Sequence, residues 1–182
     1  MMEAREGSVG LPAAWSRMRG DLLDVNVWIA LAQPLHAHHG FVKAYWEQTL
    51  AQFAQENAAA ENALAVPSKL YFCRTSMLGL VRVLSQTSTA YGKHMSLAEA
   101  FSVYEGFKFT PEVGFAHENL VNVDAVMGAL LASHADLPMR MSTDVYLAAL
   151  AKALNLRFVT FDRDFQRFDL PDCLIIGTDK SA

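Results

Sequence analysis

The chain has 182 residues, 52% of them apolar and 19% charged, which is enough for one domain with a buried core and too apolar for a chain disordered throughout. Its formal net charge of −4 offers nucleic acid no global attraction, so any nucleic-acid site has to be local. Apolar runs such as Val145–Ala151 fall far short of the roughly 20 residues a bilayer crossing needs, which predicts no transmembrane helix and no membrane partner.

Residues 1–20 scatter Gly, Pro and Arg without an apolar period and read as a loose N-terminal extension. Glu3, Arg5, Glu6, Arg17 and Arg19 interrupt any secretory apolar stretch, so a cytoplasmic protein is expected. A single domain is expected over residues 21–182, where short β-rich runs alternate with longer segments of helical period, the pattern of an α/β domain with a parallel sheet. The first run is Leu22–Val27, and Asp24 stands inside it. A carboxylate there is costly if buried without a partner. It reads either as a metal-binding Asp at the carboxyl end of the first strand or as the cap of a helix starting near Val27.

His36, His38 and His39 follow, a cluster with no matching Cys or His pair elsewhere; it makes a weak zinc site and is expected to pack as a loop over a cleft rim. Gly40–Phe53 has the apolar stripe of an amphipathic helix. The second strand is Leu70–Cys73, with Thr75 or Ser76 capping a helix over Met77–Leu84. Cys73 and Cys173 read as small buried hydrophobes rather than a disulfide. Ser96 and Glu99 form a capping box before Leu97–Phe107, and a further helix covers Asn122–Ala135. The last helix, Val145–Leu154, is announced by Ser142-Thr143-Asp144 and stopped by Asn155; strands Phe158–Phe161 and Cys173–Ile176 complete the pattern. Phe41, Tyr45, Trp46, Phe53, Phe101, Tyr104 and Phe107 exceed what a small core needs, which predicts an exposed aromatic groove for a partner helix.

Asp144 opens its helix and Asp162 follows the Phe158–Phe161 strand, so with Asp24 three elements deliver carboxylates to places a parallel sheet would bring together. Like charges crowded in a cleft persist mainly where a divalent cation neutralises them, and hard oxygen ligands favour Mg²⁺ or Mn²⁺ over zinc.

Leu22–Leu31 with Pro34–His39, then Phe72–Leu84, Thr143–Ala151 and Phe158–Phe165, four motifs in order over Asp21 to about Ile176, resemble the PIN-domain ribonuclease toxins of the VapC type. The resemblance implies an α/β/α sandwich around a central parallel sheet. It further implies Mg²⁺- or Mn²⁺-dependent cleavage of RNA, neutralisation by a VapB-type antitoxin, and a homodimer. By motif, the family's acidic positions fall on Asp24, Asp144 and Asp162. PIN nucleases commonly carry a Glu at the start of the helix after the second strand, where this chain has Thr75-Ser76-Met77. Glu118 reads either as a substitute for it or as an exposed Glu near a helix N-terminus, and Asp164, where relatives often have Gly, reads as an optional ligand or, in preference, a solvated side chain.

The expected mechanism holds the metal with Asp24 and Asp144, and with Asp162 directly or through water, to lower the pKa of a water in line with the scissile phosphodiester. Asn26 and Thr160 are expected to orient the ligands, Thr75 or Ser76 to contact the phosphate, and Arg74 and Arg82 to bind RNA phosphates. The rival reading is a catalytically degenerate PIN fold that binds RNA or protein. A phosphotransferase using Asp24 as nucleophile would need Asp at position 26, which is Asn.

Overall fold

Side chains alternate along the central strands: Leu22 faces one way and Leu23 the other, Tyr71 opposes Leu70 and Phe72, and Phe158 opposes Val159. Strands that bury both faces require a sheet covered on both sides, the usual state of a parallel sheet. The computed structural model describes residues 18–60, 65–86, 94–118 and 121–177, so most of the expected extension lies outside the described residues. Five parallel strands, β1 (Arg19–Leu23), β2 (Ser68–Phe72), β3 (Val113–Phe115), β4 (Arg157–Thr160) and β5 (Cys173–Ile175), stand in the order β3-β2-β1-β4-β5. Leu22 sits beside Tyr71 on one side and Phe158 on the other.

One face is covered by α1 (Val25–Ala32), α2 (His39–Ala59), α3 (Arg74–Gln86) and α4 (Leu97–Lys108), around Trp28, Phe72 and Leu80. The opposite face carries α5 (Val123–Ser133), α6 (Ser142–Leu154) and a 3-10 helix over Arg163–Phe168, around Leu147, Phe158 and Phe165. This is the α/β/α sandwich expected. The chain runs outward from β1 to β2 and β3, then returns to the far side of β1 for β4 and β5. The order reverses between β1 and β4, and the crevice beyond the carboxyl ends of strands at such a reversal is where open α/β sheets bind ligands.

Several boundaries differ from expectation. The first strand ends at Leu23 rather than Val27, because Asp24 accepts the Val25 N–H and starts α1 there. Neither Thr75 nor Ser76 caps α3: the helix begins at Arg74, and Ser76 is buried in its first turn with its Oγ accepting the Cys73 N–H at 2.9 Å. The Ser96–Glu99 capping box forms, and Asn155 ends α6 in the left-handed conformation at φ 54°. Strand β3 was not legible, since Val113-Gly114-Phe115 has no apolar run; it exists because it pairs with β2, Phe115 beside Phe72. Helix α2 runs on to Ala59, beyond Phe53.

The expected groove lined by all seven aromatics does not form. Phe53 and Tyr104 are buried. Tyr45, Trp46 and Phe107 are half-buried, Trp46 and Phe107 packing with Trp28, whose ring lies 5.2 Å from Phe107, and only Phe41 and Phe101 are exposed. Four helices share this sheet face, so the gaps between them absorb the large rings. Gly79 lets α3 approach α1: a Cβ there would stand 2.8 Å from Val25 Cγ2, in the residue next to Asp24.

At the amino end of the sheet Asp21 is 2% exposed and takes a fork from Arg157, Nε at 2.8 Å and Nη2 at 2.6 Å, with the Tyr45 hydroxyl as a further donor. Removing one member of a buried pair leaves an uncompensated charge. Arg157→Met is expected to cost about 3 kcal/mol in urea unfolding, and the double variant Asp21→Leu/Arg157→Met to recover most of that loss. Equal destabilisation by both would show that the pair is not what holds this corner.

Candidate active site

Asp24 is held by three hydrogen bonds from two elements, α1 and β4. Its Oδ1 accepts the Val25 N–H at 2.6 Å, its Oδ2 accepts the Thr160 hydroxyl at 2.6 Å, and its own N–H donates to Val159 O at 2.9 Å. Thr160, fully buried at the end of β4, also accepts Asn26 Nδ2 at 3.1 Å and the Asp162 N–H at 3.0 Å. A hydroxyl has one proton and two lone pairs. Both lone pairs are taken, so the proton points at Asp24 and fixes that oxygen as an acceptor.

Burial pushes the Asp24 carboxyl up from 3.8 to about 6, the bonds from Thr160 and Val25 pull against it, and the charges of Asp144 and Asp162 add to the rise. Asp144, half-buried in the first turn of α6, is raised first by burial, then by Asp162 and Asp164, against Arg140. These carboxylates repel one another across the β1/β4 reversal. Asp162 caps the Arg163–Phe168 helix, its Oδ1 accepting the Asp164 N–H at 2.8 Å. The Asp164 side chain is exposed, 3.8 Å from Arg167.

The remaining candidates divide. Glu118 is exposed, and its charge acts on Cys73 and Tyr146, whereas the carboxylates raising Asp24 are Asp144 and Asp162. Ser76, fully buried and bonded to Cys73, is not placed to touch a phosphate, which corrects that expectation. Thr75 lies beside Tyr146. Arg74 is exposed at the start of α3, and Arg82 is exposed eight residues on, about 12 Å farther along the helix axis and away from the carboxylates. Tyr146 was missed by sequence reasoning, being read as one apolar position of a helix. Its hydroxyl is buried between Glu118 and Thr75, and burial first and then the Glu118 carboxylate hold its proton on well above the usual phenol range. Its place two residues after Asp144 was the only signal.

Among the described residues no three His, Cys, Asp or Glu side chains stand close enough to enclose an ion by themselves. The donors around Asp24 are nonetheless hard oxygens, and the buried Oδ1 of Asn26 beside Thr160 has no partner. Such a set suits a cation that keeps several of its waters, as Mg²⁺ does, better than zinc. A cavity of about 430 Å³ at the opposite end of the sheet holds instead the paired Asp21 and Arg157.

The fold is an α/β/α sandwich in which Asp24, Asp144 and Asp162 feel one another's charge beside the β1/β4 reversal. The chain belongs to the PIN-domain family, whose model matches residues 22–171. It is 29% identical over 150 residues to Ribonuclease VapC41 of Mycobacterium tuberculosis, covering 81% of this chain and 92% of that protein. The VapBC2 complex of Rickettsia felis, solved on a fragment of its promoter DNA, superposes with a TM-score of 0.58 at 13% identity, covering 86% of this chain and 98% of that one. VapC20 of M. tuberculosis, a Sarcin-Ricin loop cleaving toxin, superposes at 0.51 and 14% identity over 83% of this chain and 96% of its own. Among the described residues no helix is long and apolar enough to cross a membrane.

Proposed function

We propose that this protein is an endoribonuclease, the toxin of a type II toxin–antitoxin pair, that hydrolyses RNA phosphodiesters with Mg²⁺ or Mn²⁺ held by Asp24, Asp144 and Asp162. The observation that carries this reading is the Asp24 carboxyl, buried and bonded to Thr160 across the β1/β4 reversal within reach of the charges of Asp144 and Asp162, in a chain akin to a VapC ribonuclease. When bound, the cation supplies the positive charge that acidifies an attacking water and offsets the charge gathering on the phosphate. Thr160 and the Val25 N–H keep both Asp24 oxygens in fixed directions. Asn26 and the Asp162 backbone are tied to the same hydroxyl, so the acidic groups of β1 and β4 move as one unit. Arg74 supplies charge to RNA from the start of α3. The kinship with VapC proteins, and the VapBC complexes among its structural neighbours, support a VapB-type antitoxin as partner. A cytoplasmic homodimer is the working state.

The test is incubation of the purified chain with RNA in Mg²⁺ and in chelator: cleavage products that need the cation are expected, and intact RNA in both would favour the non-catalytic binding module. The position of Glu118 bears on that alternative. Glu118→Gln is expected to leave Mg²⁺ affinity, read by calorimetry, near wild type. A large loss would return Glu118 to the metal site.

A further inference from the structure

Two clusters of rings flank the carboxylates at the carboxyl end of the sheet. On the β2/β3 side, Phe115 ends β3, the Arg74 guanidinium lies 5.0 Å over its ring, and His117 stands 5.5 Å from it. Arg74 and His117 are exposed and Phe115 half-buried, and no ion pair among the described residues involves Arg74. On the β4/β5 side, Phe161 immediately precedes Asp162, His38 stacks on it at 4.5 Å and 22°, and His36 lies nearly parallel at 6.4 Å. The loop is built to hold these rings: His36 Nδ1 accepts the His38 N–H at 3.2 Å, so the neutral ring carries its proton on Nε2, and His39 Nδ1 is tied to Ala30 O at 2.7 Å. Burial and the neighbouring histidines favour the neutral form of His36. Phe115 and Phe161 pack on the same sheet face. β3 and β4 are three strand spacings apart, about 14 Å, with β1 and Asp24 between them.

We propose that these two ledges, Arg74–Phe115–His117 and His36–His38–Phe161, are stacking platforms for the bases on either side of the scissile phosphate, so that the RNA strand crosses the sheet end from β3 to β5. The proposal rests on the ribonuclease reading above. Aromatic rings and Arg planes stack on any base and need no fixed sequence, and an acidic chain must draw its RNA affinity from such local contacts. A strand whose bases stack on protein rings is unpaired, so the site takes single-stranded segments and rejects continuous duplex.

The experiment uses a short fluorescein-labelled single-stranded RNA of mixed sequence, bound to the full chain carrying Asp144→Asn and read by fluorescence anisotropy. In that background His36→Ala and Phe115→Ala are each expected to weaken binding about tenfold, and His36→Phe and Phe115→Tyr to retain it. In the otherwise native chain the Ala variants should raise KM with little change in kcat. Replacing single bases of the RNA by abasic sugars should weaken binding to the parent at two positions, and at only one of them in each Ala variant. Affinity indifferent to every abasic position, or unchanged in both Ala variants, overturns the platforms while leaving the nuclease intact. Failure of the native chain to cut any RNA would count against the ribonuclease reading instead.

Discussion

Asp144→Asn is expected to lower RNA cleavage by at least about a thousandfold, the scale of the several kcal/mol that metal-assisted charge stabilisation contributes. Asn preserves the size of the side chain in the first turn of α6 and sacrifices only a modest helix-dipole interaction. The charge it removes is one that repels Asp162 and Asp164, so folding should not suffer. The measurement is single-turnover cleavage by purified protein, with growth arrest at equal abundance as the cellular counterpart. Asp164→Asn serves as the comparison: its carboxylate is exposed beside Arg167, and its loss should cost far less. Arrest by Asp144→Asn equal to wild type would reduce Asp144 to a helix-start residue.

Asp24→Asn is expected to abolish cleavage and, in chelator at neutral pH, to raise the melting temperature. The folded carboxyl titrates near 6 and the unfolded one near 3.8, so between those values the folded state holds the proton more tightly. Stability in chelator therefore falls as pH rises through that window, is unaffected by this group below it, and carries the full cost of roughly 3 kcal/mol above it. Asn escapes that cost, though in part only, because its amide would turn a donor toward a Thr160 oxygen that already accepts two N–H groups. Divalent cation should restore wild-type stability at pH 7 and do little near pH 4, where the carboxyl is protonated. The difference between wild type and Asp24→Asn, followed by thermal melts across pH with and without Mg²⁺, isolates this group from the other carboxylates. A wild-type protein whose melting temperature exceeds that of Asp24→Asn at every pH in chelator would contradict the burial and repulsion assigned to Asp24.

Most of the fold could be read along the chain. The four runs around Leu22, Leu70, Phe158 and Cys173 are apolar because their strands are covered on both faces, and the helices between them carry their own stops and starts at Ser96, Asn122 and Asn155. Strand β3 was hidden because three residues with a central glycine have no periodicity; its partner β2 makes it a strand. Ser76 looked like a cap because Ser precedes many helices, yet here the hydroxyl turns inward to the Cys73 backbone. The seven aromatics of α2 and α4 could not be assigned to surface or core from composition, because burial depends on how many helices share a sheet face.

The chain by itself determined which residues carry negative charge beside apolar runs: Asp24 and Asp162 follow strands and Asp144 lies in the first turn of a helix. Only the tertiary structure decided which of them interact. The β3-β2-β1-β4-β5 order sets β4 beside β1, so that Thr160, 136 residues from Asp24 in sequence, delivers its proton to that carboxylate. The same folding leaves Glu118 acting on Tyr146 and Cys73. Coulomb repulsion and hydrogen bonds act over a few Å in space, and sequence order encodes that proximity only through the crossovers that bring the strand ends together.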